Sequence, residues 1–397
     1  MAFFHNRDVN LVNLHSAITA AAMGGGGAFW SVYLLKAGFG VPVLLVIIAS
    51  VFFSRLAIRA FLISVAIRIG VRSTLILGTL AMAISFPFVA EVHGVGPALY
   101  ALIAVTALAD TIYWPSYHAY YAAVGDEDHR GQQLGLREAV SAVLGIVAPV
   151  AAGWVLVNYG ARATFFTTAA IQAAAALPLF WTPDIPVKRS APGAYAYAFR
   201  RAGIFIGDGI NSSAYFIVWQ IALFLTLGES YLAYGGALAI ASLVGAVSGL
   251  LLGRLIDSGK GMRAVWISVG LGCLVIVLRA SSLHNPTLAI TANALGSLVG
   301  CIYIPTVGTP IYNRAKRSPC VIRFNIVAEA GWDVGIGGGL LIAAFMVWLG
   351  APPTRVVFLA LVGIAVVFVV LRRYYAEHDD ERLDAALAAE PQETAKI

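Results

Sequence analysis

The sequence predicts an all-α integral membrane protein whose twelve transmembrane helices form two six-helix bundles. Composition, apolar stretches of membrane-crossing length and an internal repeat all support this fold class. Hydrophobic residues make up 60% and charged residues 12% of the 397 residues, whereas soluble domains average about 45–50% and about 25%. A soluble protein of this length needs a polar surface that this composition does not supply, and a lipid environment removes that need.

A helix needs about 20 mainly apolar residues to cross a membrane, and stretches of that length recur here with short polar breaks. The first run is too long for a signal peptide core, so we interpret it as the first spanning helix. The predicted spans are 9–35, 41–67, 73–91, 97–121, 138–158, 162–181, 200–226, 234–255, 263–281, 287–310, 325–349 and 354–371.

The longest break between spans, at 182–198, is polar and contains proline, and it divides the twelve spans into six and six. We therefore expect an N-terminal bundle at 1–181, a cytoplasmic linker at 182–198 and a C-terminal bundle at 199–371. The acidic, alanine-rich tail at 372–397 is expected to be a solvated helix or disordered.

The distribution of lysine and arginine predicts the orientation. With the N-terminus in the cytoplasm, the outer side receives four basic residues, and the other 22 of the 26 fall on or near the inner side. Both termini are then cytoplasmic, and a bacterial inner membrane is the expected location. The net charge of +6 does not indicate a nucleic-acid partner, because the basic residues form short clusters between apolar runs. The four outer residues are Lys36, Arg162, Arg279 and Arg355.

The two halves repeat each other at an offset of 190 residues. Gly145 falls on Gly335, and Gly160, at the end of the fifth span, falls on Gly350 at the end of the eleventh. The repeat is parallel, because six spans return the chain to its starting side, and it indicates two bundles related by an axis along the membrane normal. The same offset places Ile112-Tyr113-Trp114-Pro115-Ser116 on Ile302-Tyr303-Ile304-Pro305-Thr306.

A parallel six-plus-six repeat of this length resembles the major facilitator superfamily. That family's loop between the second and third helices typically reads Gly-x-x-x-Asp-Arg-x-Gly-Arg-Arg, but here Ile67 stands where the acid belongs. The corresponding loop of the second half keeps more of the pattern, so the resemblance implies a cytoplasmic latch formed by Gly253, Asp257 and Arg263. Alternatively, these loop charges only fix the topology.

The fifth span contains Gly145, Pro149 and Gly153, a pattern similar to the glycine-proline motif of drug and proton antiporters. Small residues four apart let another helix approach closely, and an internal proline permits a bend. Gly335 is expected to pack in the same way in the eleventh span. Close packing without any consequence for transport direction is the alternative.

Five ionisable residues fall near the middle of the membrane when the helical rise of about 1.5 Å per residue is counted from the span ends. Such groups cost at least about 2.5–3.5 kcal/mol there and usually have a partner or a wet cavity. The family resemblance implies that Asp110 and Asp208 line the central cavity, and that Arg55 and Asp333 lie at the interface flanking it. Arg59 is one turn from Arg55, and structural ion pairing is the alternative for all five.

Other residues carry weaker predictions. Tyr113 and Trp114 are candidates for an aromatic substrate wall or for plain packing, and Glu138 and Glu329 are expected to cap or latch inner helix ends. His15 and His118 are possible proton carriers. Cys273, Cys301 and Cys320 lack metal-ligand spacing, so no metal is expected.

The predicted function is secondary transport of a small solute by a monomer, without cofactor and with protons as the coupling partner. No catalytic residues are expected, because neither a zinc-protease or nucleophile-elbow motif nor a phosphate-binding Walker loop occurs. The central acids favour proton-linked export. The alternatives are proton-linked uptake of a small organic anion bound by Arg55 or Arg59, and a sensor or assembly factor that does not transport.

Overall fold

The computed structural model describes residues 6–126, 129–256 and 261–389. Within them the regular structure is helical, and eleven continuous helices are long and apolar enough to cross a membrane. The fifth, Gln132–Trp181, contains two crossings divided at Gly160, whose φ of 81° interrupts the helix. The predicted twelve-helix, six-plus-six architecture is therefore confirmed.

The helices are labelled in chain order. The first half comprises α1 Arg7–Lys36, α2 Val41–Ile69, α3 Val71–Ala90, α4 Pro97–Val124, α5 130–159 and α6 161–181. The second half comprises α7 Gly203–Thr226, α8 Tyr231–Ile256, α9 Gly261–Ala280, α10 Pro286–Lys316, α11 Val321–Trp348 and α12 Pro353–Tyr375. Helix continues from α12 to Ala389, which is the helical alternative predicted for the tail.

Four glycine turns show that the sequence repeat is also a structural one. Gly160 and Gly350 have φ values of 81° and 95°, and Gly38 and Gly228, which are also 190 residues apart, have φ values of 101° and 68°. Glycine adopts this left-handed conformation without steric cost. The four turns follow α1, α5, α7 and α11, so they lie at one end of the bundle, named here the turn face. The segment 182–198 lies at the opposite end, named the linker face.

The first helix of each half is irregular at the same place. In α1 the helix changes at Gly25 to a 3₁₀ segment, Gly26–Phe29. In α7 the residues Ser213–Val218 form a π-helix, and the 190-residue offset places them on residues 23–28. Gly26 is required because a Cβ there would collide with Thr168 Oγ1 of α6. Such interruptions are frequent at functional sites.

The linker supplies an acid where the loop between α2 and α3 lacks one. Asp184 accepts hydrogen bonds from the Arg72 backbone N–H and from Ser73 Oγ, both at 3.0 Å, and so caps the N-terminus of α3. Gly70 turns with a φ of 82°, and a Cβ there would collide with the Asp184 carboxylate. A residue distant in sequence thus supplies an acid to the N-terminus of α3.

The two halves meet at backbone distance where α5 packs against α8. A Cβ on Gly145 would lie 2.5 Å from Ser242 Oγ, and one on Gly153 would lie 3.0 Å from the Tyr231 carbonyl oxygen. Pro149 takes part as well, because its carbonyl oxygen would lie 2.6 Å from a Cβ on Gly235. Small residues on both helices therefore produce this close approach.

Within the second half, Gly335 brings α11 against α7, and this contact generates a test. Replacing Gly335 by alanine places a Cβ on the Ile206 carbonyl oxygen, so we expect a lower melting temperature and less monodisperse protein. Gly338 is the matched control, because a Cβ there meets nothing within 4 Å. Gly338→Ala should keep or raise the melting temperature, since alanine favours helix by about 1 kcal/mol. Equal melting temperatures for the two variants would contradict the packing assignment.

Candidate functional site

A buried cluster of charges joins three helices near their middle. Arg55 of α2 is 1% exposed, and its guanidinium contacts three carboxylates. Its Nη2 lies 2.9 Å from Glu329 Oε2 and 3.1 Å from Asp333 Oδ1, both on α11, and its Nη1 lies 3.6 Å from Asp110 Oδ2 on α4. The sequence predicted the depth of three of these residues, and the structure shows that they touch.

Arg59 completes this acid–arginine cluster, which consists of Arg55, Arg59, Asp110, Glu329 and Asp333. Its guanidinium Nη2 pairs with Asp333 Oδ2, and both side chains are at most 3% exposed. Three carboxylates face two guanidinium groups, so the fully ionised cluster carries one excess negative charge. Such an excess inside a membrane is costly, and binding one proton or one cation neutralises it.

Asp110 separates two cavities. The linker-face cavity, of about 430 Å³, is lined by Asp110, Glu329 and His118 among others. The turn-face cavity, of about 210 Å³, is lined by Asp110 together with Trp30 and Gln220. Asp110 therefore lines both cavities in the same structure.

Asp208 of α7 lines the linker-face cavity. Its Oδ1 accepts a hydrogen bond from the Tyr303 hydroxyl at 2.6 Å, and its Oδ2 accepts one from Trp332 Nε1 at 3.2 Å. In the described residues no cation lies within 4.0 Å of this carboxylate. The Trp332 ring lies 5.8 Å from the Arg55 guanidinium carbon and so links Asp208 to the acid–arginine cluster.

The two aromatic candidates point in different directions. Trp114 lines the linker-face cavity and also a central cavity of about 790 Å³ between the halves. Tyr113 is 1% exposed and lies inside the first half, where its hydroxyl is 3.1 Å from His15 Nε2. Of the two alternatives for Tyr113, the structure therefore supports packing, between α1 and α4, and not a place in the substrate wall. His15 belongs to the same packing, with its Nδ1 2.8 Å from the Ala175 carbonyl oxygen.

The sequence did not indicate the partners of Glu329 and Glu138. Glu329 was expected to cap or latch an inner helix end, and in the structure it pairs with Arg55 of the other half and lies 3.4 Å from His118 Nε2. Glu138 lines the central cavity and pairs at 2.6 Å with Arg137, the preceding residue. An acid next to an arginine in the sequence was the available signal for this second pair.

The burial of Arg279 was not expected from the sequence. It was assigned to the outer side of the membrane, and it lies in the last turn of α9 at the turn face, where it is 3% exposed and lines the central cavity. Its position in the last turn of α9 concealed this burial, because span ends read from sequence are uncertain by a few residues.

The predicted cytoplasmic latch stays a prediction. Asp257 lies outside the described residues, Gly253 lies near the end of α8, and Arg263 is exposed at the start of α9.

The pair between Arg59 and Asp333 generates a double-mutant test. Asp333→Leu leaves Arg59 buried without its acid. We therefore expect the free energy of unfolding to fall by about 3–5 kcal/mol and the melting temperature to be clearly lower. Arg59→Met should lower the free energy of unfolding by less, because Asp333 still contacts Arg55. The double variant should lose less stability than the two single variants added together. Arg162→Met, which removes an exposed pair with Glu91, is the control and should change little. Strict additivity of the singles would show that the pair is not coupled.

Solved transporter structures share this architecture. The human organic anion transporter MFSD10 (TETRAN) superposes with a TM-score of 0.66 at 14% identity, covering 92% of this chain and 99% of that one. A variant of the E. coli fucose:proton symporter FucP gives a TM-score of 0.64 at 14% identity, covering 92% and 97%. FucP in its outward conformation gives 0.65 at 13% identity, covering 92% and 99%. At such identities the similarity shows the fold alone.

The sequence comparisons give the family. No curated protein matches the chain significantly. The family model described as the Major Facilitator Superfamily matches residues 15–319, which is more than half of the chain. The chain belongs to the major facilitator superfamily, and is thus an integral membrane transporter rather than an enzyme.

Proposed function

We propose that this transporter couples proton movement to export of a small solute by alternating access, and that the acid–arginine cluster is the coupling site. The observation that carries the proposal is Asp110, a carboxylate that lines a cavity toward each face. A group in this position can load a proton from one side and release it to the other when the accessible cavity changes. The excess negative charge of the cluster gives it the capacity for one proton.

The ion pairs of the cluster cross the interface between the halves. Arg55, Arg59 and Asp110 belong to the first half and carry a net charge of +1, whereas Glu329 and Asp333 belong to the second half and carry −2. Protonating Asp110 removes the charge of the acid that faces Arg55, raises the net charge of the first-half members to +2 and so changes the attraction between α2 and α11. Protonation then favours a different relative position of the halves, which is the rocking that alternating access requires.

Contacts at both faces are suited to open and close in turn. At the linker face, Lys316 Nζ donates to the Gly125 carbonyl oxygen at 2.7 Å, and His118 Nδ1 lies 2.6 Å from the Tyr312 hydroxyl. At the turn face, the Tyr234 hydroxyl donates to the Ala28 carbonyl oxygen at 3.3 Å. Each set comprises a few polar contacts, so breaking one set costs little compared with separating the whole interface.

The proposed direction of transport and class of solute are argued from a sequence pattern and from the contacts of the two guanidinium groups. The Gly145, Pro149 and Gly153 pattern resembles that of proton antiporters and favours export. The fold itself serves both a proton symporter and an organic anion transporter, as the names of the two relatives state. Uptake of an anion bound by Arg55 or Arg59 is less favourable, because carboxylates already contact both guanidinium groups. A sensor that does not transport would show no solute flux in proteoliposomes.

Asp110→Asn tests the coupling site. The amide keeps the shape of the side chain but does not titrate, so we expect proton movement driven by a solute gradient to disappear. Proton movement is measured with a pH-sensitive dye inside proteoliposomes, to which drugs, sugars, amino acids and carboxylates are added in turn. Glu91→Gln, in an exposed pair outside the spans, is the control and should behave as wild type. Normal proton movement in Asp110→Asn would assign the residue a structural role.

We also propose that the protein lies in the bacterial inner membrane with its linker face toward the cytoplasm, so that both termini are cytoplasmic. With Cys273, Cys301 and Cys320 replaced by serine, Ser190→Cys should resist an impermeant thiol reagent added to intact cells. Ser281→Cys, exposed at the opposite face, should react readily. The reverse labelling pattern would invert the topology.

A further inference from the structure

Arg279 is a buried cation without an acid. Its Nη1 donates to the Tyr215 carbonyl oxygen at 2.7 Å, while its Nε has no hydrogen-bond partner. No carboxylate lies within 4.0 Å of it in the parts of the chain that the structure describes. The buried Arg55 and Arg59 differ, because each meets at least one carboxylate. A buried guanidinium that no carboxylate neutralises is costly, and a bound anion would neutralise its charge.

The surrounding helices are shaped to admit this side chain. Arg279 comes from α9 and reaches the wall of the central cavity past Gly296 of α10, where a Cβ would collide with its Nη2. The acceptor of its hydrogen bond, Tyr215, lies in the π-helical segment of α7. The Tyr215 hydroxyl in turn donates to the Gly296 carbonyl oxygen at 3.3 Å. A helix irregularity and a glycine therefore position one guanidinium at the cavity.

Two aromatic rings hold the guanidinium in place. Its central carbon lies 4.0 Å from the ring centroid of Tyr215 and 4.7 Å from that of Trp219. Trp219 is fixed by a hydrogen bond from its Nε1 to Asn293 Oδ1 at 2.9 Å, and Asn293 Nδ2 donates to the Ala237 carbonyl oxygen at 3.2 Å. The site is thus preorganised, and Nη1 makes the one hydrogen bond of this guanidinium found in the part of the chain that the structure describes.

We propose that the solute is an organic anion bearing a carboxylate, and that Arg279 binds this carboxylate in the central cavity. This inference rests on the proposed transport function, because it takes the cavity between the halves as the solute site. A planar guanidinium matches a carboxylate through paired hydrogen bonds. Trp114, Trp219 and Leu238 line the same cavity and suit an apolar or aromatic body. The bound anion neutralises the positive charge of Arg279, and the proton neutralises the excess negative charge of the separate acid–arginine cluster.

Thermal stabilisation by matched acids and amides tests the proposal. The purified protein in lipid nanodiscs is titrated with benzoate, 1-naphthoate and indole-3-acetate, and with the neutral amide of each. At least one acid should stabilise wild type with a half-saturating concentration at least about tenfold lower than that of its amide, since a hydrogen bond to a charged group supplies this difference. Arg279→Gln should remove the preference for the acid, and Arg279→Lys should retain part of it.

Two further variants separate binding from folding. Gly296→Ala keeps all charges but displaces the guanidinium, so it should weaken acid binding about tenfold or more while the protein stays monodisperse. Arg162→Gln, which removes an exposed outer-loop arginine, should bind as wild type does. Equal stabilisation of wild type by acids and amides, undiminished acid binding in Arg279→Gln, or no stabilisation by any of the three acids would overturn the proposal.

The same titration on Asp110→Asn distinguishes this proposal from the coupling mechanism. We expect this variant to keep the preference for an acid over its amide, because Asp110 does not line the central cavity. Acid binding that depends on Arg279, together with proton movement that does not depend on Asp110, would remove the coupling proposal and leave the anion site. Loss of acid binding in Asp110→Asn would contradict the separation of the two sites.

Discussion

The contact of Arg55 with carboxylates of α4 and α11 is the interaction on which the rest of the arrangement depends. It sets one buried guanidinium of the first half against two acids of the second, at a depth where neither side is stable alone. The same contact places Asp110 between the two cavities. An ionic contact between the halves contains groups that can bind a proton, whereas a purely apolar contact does not.

The fold was largely predictable because it depends on composition, span length and backbone requirements that are visible residue by residue. Gly160 and Gly350 mark the repeat in the sequence, and both occupy left-handed turns. The sequence did not predict which type of irregular helix interrupts α1 and α7. A run of four glycines indicated a bend in α1, but Ser213–Val218 of α7 contains no glycine or proline. The capping of α3 by Asp184 was hidden for a different reason, since it joins residues more than 100 positions apart.

The sequence predicted how deep the site residues lie in the membrane, but not which way their side chains point. Counting the helical rise placed Arg55, Asp110 and Asp333 at one level, but rotation about each helix axis decides which side chains meet. Adjacent residues on a helix point about 100° apart, so Trp114 lines the cavity while Tyr113 packs inside the first half. Arg279 was missed because an arginine near a span end normally lies at the membrane surface.

The packing of α11 on α7 links the two proposed sites mechanically. The acids Glu329 and Asp333 lie on α11, and Gly335 of the same helix contacts Ile206 and Gly209 of α7 at backbone distance. Four residues further along α11, a Cβ on Gly339 would collide with Ser213, the first residue of the π-helical segment that contains Tyr215. Contacts this close leave α11 no room to shift alone. Under the proposed coupling mechanism, a movement of α11 that follows protonation would therefore be transmitted to Tyr215, the hydrogen-bond acceptor of Arg279. Solute affinity can thus depend on the protonation of a cluster that the solute does not contact.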